Sequence, residues 1–179
     1  IETLRHAVRE QRADFGIALD GDGDRLMMCD GDGAVFDGDQ LLYIIAKHRR
    51  ETGACKGGVV GTLMTNLALE HALGKLDIPF ARAKVGDRYV LEMLLEKGWY
   101  WGGENSGHII CKDKHTTGDG IVSALQVLTA LRMNKTTMGR YTRELTLYPQ
   151  VLINVPTARG FKHSEHTSIA AAVQAAEQE

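Results

Sequence analysis

Apolar positions recur along the chain at two periods, and the period changes from segment to segment. In residues 1–13, Ile1, Leu4 and Val8 share one helical face, so this stretch reads as the last helix of a preceding unit. Phe15-Gly16-Ile17-Ala18-Leu19 predicts a short buried strand that ends on Asp20, and Leu26-Met27-Met28-Cys29 predicts a second. Gly31-Asp32-Gly33 supplies the positive-φ residues of a tight turn. Asp39 then reads as the cap of a helix running through Leu41-Leu42-Tyr43-Ile44-Ile45 towards Arg50, with Gly53 after its end.

From there strand and helix alternate. Val59-Val60-Gly61 predicts a strand, Asn66 to Leu76 a helix, and Phe80 to Val85 a strand. Asp87 to Lys97 predicts a helix with Val90, Leu91, Leu94 and Leu95 inward, closed by Gly98. Trp99-Tyr100-Trp101 and His108-Ile109-Ile110-Cys111 read as strands around a glycine-rich loop. Gly118 to Met133 carries Ile121, Leu125, Leu128 and Leu131 at helical spacing. The alternation predicts an α/β fold, a mixed and partly parallel sheet sandwiched between helices. Tyr148 to Val155 reads as a strand leaving the domain, Pro156 to His163 as a linker, and Ser164 to Glu179 as an alanine-rich helix. The expected division is therefore 1–13 as the end of a preceding domain, 14–38 as a segment closing it, 39–147 as an α/β domain, and 148–179 as a linker into a further domain.

Composition narrows the function class. Lys plus Arg total 21 and Asp plus Glu 23, a formal charge of −2, which excludes the basic excess that nucleic acid or a membrane surface demands. No apolar run approaches the roughly 20 residues that span a bilayer. Cys29, Cys55 and Cys111 are far apart and odd in number, fitting neither a disulfide framework nor a zinc site, so a reducing cytoplasm is expected. The first residue is Ile1 and no signal-peptide core follows, which reads as a piece of a longer protein.

The near-neutral total conceals an asymmetry. Eight aspartates lie between Asp14 and Asp39, against one base, Arg25. In Asp20-Gly21-Asp22-Gly23-Asp24-Arg25 alternate carboxylates fall on one side of the chain, and the glycines let it curl until all three reach one point. Three hard oxygen ligands suit Mg²⁺, which keeps positions open for water or phosphate. An EF-hand fails in either register: counting from Asp20 puts Arg25 at the glycine position and Gly31 at the glutamate position.

Gly102-Gly103-Glu104-Asn105-Ser106-Gly107-His108 crowds donors and acceptors between glycines that admit close backbone approach, which suits a polyhydroxylated ligand. Lys84-Val85-Gly86-Asp87-Arg88 follows a strand; Asp87 reads as an N-cap, and Lys84 is expected on the same rim as Asp20. Thr116-Thr117-Gly118-Asp119-Gly120 reads as the start of a helix, and His163 and His166 as solvated.

These motifs, with Asp37-Gly38-Asp39-Gln40 and Gly61-Thr62-Leu63-Met64-Thr65-Asn66, resemble in order those of the α-D-phosphohexomutase superfamily from about Asp14 to Asn154, most closely its bacterial glucosamine-phosphate branch. The resemblance implies a middle-domain fold of a four-domain enzyme that interconverts glucosamine 6-phosphate and glucosamine 1-phosphate through a phosphoserine and a bisphosphate, a step towards the cell wall. By matching position, Asp20, Asp22 and Asp24 would hold Mg²⁺, Arg25 and Lys84 would face the transferring phosphate, and His108 would line the centre. Glu104, Asn105 and Ser106, with Gly86, Asp87 and Arg88, would bind the phosphorylated amino sugar; the general base is left open between Lys84 and His108. A homodimeric parent is expected. The family's serine loop and its last phosphate-binding loop have no counterpart here, so the isolated chain is expected to bind metal weakly and to lack mutase activity.

Two other readings compete. A haloacid-dehalogenase-like phosphatase would use Asp20 as nucleophile, with Asp22, Lys84, Gly86-Asp87 and Glu92 in order, but has Asp24 where Thr or Val is usual. A non-enzymatic calcium-binding module would use the acidic loop alone.

Overall fold

The computed structural model describes residues 1–176 and 178. The chain divides into two compact units, Ile1–Pro149 and Gln150–Glu179. In the first, among the described residues, helix α1 (Glu2–Gln11) leads into a three-stranded antiparallel sheet of β1 (Phe15–Leu19), β2 (Leu26–Asp30) and β3 (Val35–Phe36). A four-stranded sheet follows in the order β5-β4-β6-β7, formed by β4 (Val59–Thr62), β5 (Phe80–Ala83), β6 (Trp101–Gly103) and β7 (Ile109–Cys111). β4 runs parallel to both β5 and β6, and β7 is antiparallel to β6. The expected mixed, partly parallel sheet between helices is what forms.

Period-two alternation separates the two faces of this sheet. Val59, Trp101, Ile109 and Cys111 join the larger core with α2 (Gly38–Glu51), α3 (Leu67–Gly74) and α5 (Gly120–Met133). Val60, Ala83 and Ile110 pack the other way, against Val90 and Leu94 of α4 (Asp87–Lys97). Helix α2 is buried almost all round from Leu41 to Ala46, because it lies between the sheet, α3 and α5. A short helix α6 (Met138–Tyr141) closes the unit, where Tyr43 and Lys47 meet Glu144 and the Tyr141 hydroxyl donates to Glu51.

Several expectations need correction. Strand β1 is not buried: Phe15, Ile17 and Leu19 face outward, and Gly16 turns inward under Leu4 and Val8 of α1. The cap of α2 is Asp37, not Asp39. Asp37 accepts from Gln40 N at 3.0 Å while the Gln40 side chain accepts from Asp37 N, a capping box whose Asp-x-x-Gln spacing is visible in the sequence. Gly86, not Asp87, caps α4, because the cap adopts φ 125°, a conformation open to glycine; Asp87 becomes a first-turn acid instead. Leu95 is 61% exposed, since α4 turns only Val90 and Leu94 fully inward. Helix α5 starts at Gly120 and packs its small face, with Ser123, Ala124, Val127, Ala130 and Leu131 buried. Ile121 and Leu125 are 60% and 55% exposed, because they lie off the face that α5 turns to α2 and β7. The sixth strand spans Trp101–Gly103, beyond Trp99 and Tyr100, and the segment Tyr148 to Val155 forms no strand.

The second unit contains a 3₁₀ turn (His163–Glu165) and α7 (Thr167–Ala176). Phe161 stacks on His166 at 4.7 Å, and Lys162 pairs with Glu165 at 2.9 Å. No helix among the described residues is long and apolar enough to cross a membrane.

Asp39 is 1% exposed and its carboxyl is pushed up to about 7. Burial is the chief cause and Asp37 adds to it, against the Asn66 N–H, the Arg82 guanidinium and the Thr65 hydroxyl. The folded protein keeps this proton to about pH 7, whereas the unfolded chain releases it near 3.8. The native state therefore binds more protons in that window, and stability falls as pH rises through it. Asp39→Asn should flatten this slope, which urea midpoints at pH 5 and pH 8 would measure; an unchanged pH dependence would refute the assignment.

Candidate functional site

Parallel strands β4, β5 and β6 bring their C-terminal ends to one edge, and β4 lies between the other two, so the connections diverge there. Such a divergence leaves a crevice outside the strand ends. A cleft of about 350 Å³ occupies it. Met64 from the turn after β4, Val85, Gly86 and Asp87 after β5, and Glu104, Asn105, Ser106 and His108 after β6 line it, with Asp24 and Arg25 from the loop after β1.

The acidic loop curls as its glycines allow. Gly23 takes φ 76°, and Gly23 N donates to Asp20 O at 3.3 Å. One carboxylate oxygen each from Asp20, Asp22 and Asp24 lies within 4.8 Å of the others. Arg25 N donates to Asp20 Oδ1 at 3.1 Å, and its Nε stands 3.8 Å from Asp20 and 4.0 Å from Asp24. Desolvation raises the Asp20 carboxyl, but the Arg25 N–H, the Asp20 and Gly23 amides and the guanidinium outweigh it and hold the group below the ordinary aspartate value. Three carboxylates this close, mostly open to solvent, form a hard-oxygen donor set that fits a small divalent cation.

Backbone contacts stitch the Glu104–His108 loop to this acidic loop. Leu26 N donates to Gly107 O at 3.0 Å, and Arg25 bridges His108. Gly107 has φ 97°, and a Cβ there would overlap the Leu26 carbonyl. Gly120 N donates to Gly23 O at 2.9 Å, so the start of α5 fastens the other side of the acidic loop. Glu104 Oε1 accepts from Gly86 N at 2.9 Å, which joins the β5 and β6 loops and leaves the second carboxylate oxygen for a ligand.

His108 is 3% exposed and lines the cleft with its ring largely buried. Its Nδ1 lies 3.1 Å from Asp24 Oδ2, and since a carboxylate only accepts, Nδ1 carries the proton. Its Nε2 is buried without a partner, and the ring packs on the Gly118 backbone.

Not every singled-out residue converges. Lys84 lies over the Tyr89 ring at 5.7 Å and, like Asp20, is not among the residues that line the cleft. Arg88 pairs with Glu92 at 2.8 Å on the outer turn of α4, so the Lys84 and Glu92 of the phosphatase reading are both engaged elsewhere. Met64 and Val85 line the cleft from within the Gly61–Asn66 and Lys84–Arg88 motifs without having been given a role; their place directly after β4 and β5 brings them there.

Residues 37–148 match the family described as phosphoglucomutase/phosphomannomutase, alpha/beta/alpha domain III. The chain is 62% identical over 174 residues to a phosphoglucosamine mutase of Thiobacillus denitrificans, covering 97% of this chain and 38% of that protein. It is 64% identical over 160 residues to one of Aromatoleum aromaticum, covering 89% of this chain and 35% of that protein. The chain thus spans well under half the length of these relatives. Among solved structures, a phosphoglucomutase/phosphomannomutase family protein from Burkholderia thailandensis is similar in fold, with TM-score 0.70 and 22% identity over 81% of this chain and 31% of that one. So is Aspergillus fumigatus N-acetylphosphoglucosamine mutase in complex with GlcNAc-6P and magnesium, with TM-score 0.64 and 20% identity over 76% of this chain and 36% of that one.

Because a Cβ at Gly118 would overlap the His108 imidazole, Gly118→Ala should destabilise the first unit by about 1–3 kcal/mol. The His108 ring resonances should move with it. Unchanged thermal stability and imidazole shifts would contradict this packing.

Proposed function

The chain belongs to the phosphoglucomutase/phosphomannomutase family, and from that premise we propose that it supplies the metal loop and the sugar-binding wall of an enzyme interconverting glucosamine 6-phosphate and glucosamine 1-phosphate. The observation that carries this reading is that Asp24, one of three clustered carboxylates, lines one cleft together with Arg25 and the Glu104–His108 loop. A phosphoserine outside these residues donates a phosphoryl group, and a bisphosphate intermediate returns the other. The product is an amino-sugar precursor of peptidoglycan, made in the cytoplasm, and the parent enzyme is a homodimer.

Asp20, Asp22 and Asp24 would hold the cation, Mg²⁺. When bound, it neutralises negative charge on the phosphate, and phosphoryl transfer depends chiefly on such neutralisation and on positioning. Arg25 offers a second positive group beside Asp20 and Asp24. His108 holds Asp24 in place through Nδ1. Glu104 accepts from sugar hydroxyls with its free oxygen, Ser106 donates or accepts beside it, and the Asn105 carboxamide does both. The Gly86 and Asp87 turn shapes the adjoining wall, tied to Glu104 through Gly86 N. Lys84 and Arg88 stand outside the cleft and approach a substrate phosphate by rotamer changes of their long side chains.

A metal titration tests the first half of this reading. Asp22→Asn should weaken Mg²⁺ binding by at least about tenfold in this chain, because it removes one charged ligand of three. In the full-length enzyme, Glu104→Gln should lower turnover of glucosamine 6-phosphate by on the order of 10²-fold. Undiminished metal affinity and undiminished turnover would sink the proposal.

A further inference from the structure

Two motifs adjoin the cleft: Asp37-Gly38-Asp39-Gln40 at the start of α2, and Thr62-Leu63-Met64-Thr65-Asn66 from the end of β4. The first turn of α2 contacts both cleft loops. Gly38 N donates to Asn105 O at 3.1 Å, and a Cβ at Gly38 would overlap the Glu104 carbonyl and crowd Gly107 N. One residue later, Asp39 Oδ2 accepts from Asn66 N at 2.8 Å. The loop ending at Asn66 carries Met64, which lines the cleft together with Glu104 and Asn105. From the other side, Arg82 of β5 donates Nη1 to Thr62 O at 3.0 Å and to Thr65 O at 2.9 Å while Glu70 neutralises it.

Helix capping does not account for Asp39, since Asp37 already fills that role. A buried carboxyl with one oxygen, Oδ1, lacking a hydrogen-bond partner is costly, and its other oxygen, Oδ2, accepts from Asn66 N of another element. We propose that Asp39 is a positioning residue of the cleft: with Gly38 it holds the Thr62–Asn66 loop and the Glu104–His108 loop at a fixed separation across one helical turn. The ligand arm of the test below rests on the sugar-phosphate reading of the cleft; the exchange arm does not.

Amide hydrogen exchange in this chain is measured by NMR for wild type, Asp39→Ala and Asp39→Asn. In Asp39→Ala, exchange at both Asn66 and Gly38 should rise at least about tenfold, the loss of about one hydrogen bond. Asp39→Asn keeps an acceptor oxygen for Asn66 N and should stay within about threefold of wild type. A rise at Asn66 with Gly38 unchanged overturns the proposal, because the loops would then not share a common support. Should Asp39→Ala fail to fold, Gly38→Ala probes the same turn from the other loop. Its shift changes should cross the cleft to Leu63 and Met64, and changes confined to 103–108 overturn the proposal. Titration with glucosamine 6-phosphate and Mg²⁺ should give roughly tenfold weaker binding for Asp39→Ala, rescued by Asp39→Asn. Unweakened binding beside raised exchange reduces Asp39 to a local structural bond and overturns the positioning role. If wild type does not bind the sugar phosphate, the functional reading fails, and the exchange measurements still decide this one.

Discussion

The Glu104–His108 loop meets two other backbones at places where no side chain fits. At Gly107 it lies against the Leu26 carbonyl of β2, and at Glu104 and Gly107 it lies against Gly38 of α2. Hydrogen bonds fix both seams, Leu26 N to Gly107 O and Gly38 N to Asn105 O. Because the contacts are between main chains, the loop's geometry does not depend on side-chain rotamers. That rigidity holds its polar side chains in a fixed array beside the acidic loop, and the cost of the arrangement falls on a few glycines whose replacement would force backbone apart.

Charge follows the same plan. Concentrating eight aspartates in a short stretch would be unfavourable if all faced one another, but the fold gives them different environments. Asp20, Asp22 and Asp24 remain mostly in solvent, where a cation can relieve their repulsion. Asp30 accepts from Asp32 N and Ala34 N in the hairpin turn, Asp37 caps a helix, and Asp39 is withdrawn into the interior. One compositional signal thus contains one clustered trio of carboxylates and several structural acids.

Most of the alternating elements are legible because their apolar periods are strong: α2, α4, β4 and β5 fall within a few residues of where the pattern puts them. Errors cluster where pattern and packing part company. In α5 the stripe of bulky residues is only half inside: Leu131 is buried and Leu128 packs on the core, while Ile121 and Leu125 face outward and Ser123, Ala124, Val127 and Ala130 take the inner face. The apolar run after Tyr148 has strand composition but joins no sheet among the described residues, and a strand without a ladder is not a strand. The candidate site was equally uneven: its acidic and glycine-rich motifs are visible in one dimension, whereas Met64 and Val85 carry no chemical mark.

The sequence by itself determined the α/β class, the acidic loop at the end of β1 and the polar loop between two strands, because each follows from local periodicity, glycine spacing and residue type. Only the tertiary structure decided which of these meet. Parallel pairing of β4 with β5 and β6 brings three distant loops to one edge, and the antiparallel bridge between Arg25 and His108 sets the acidic loop beside them. Those contacts join residues separated by up to 84 positions, His108 and Asp24 among them. Such pairings depend on how whole elements pack, which no local pattern encodes.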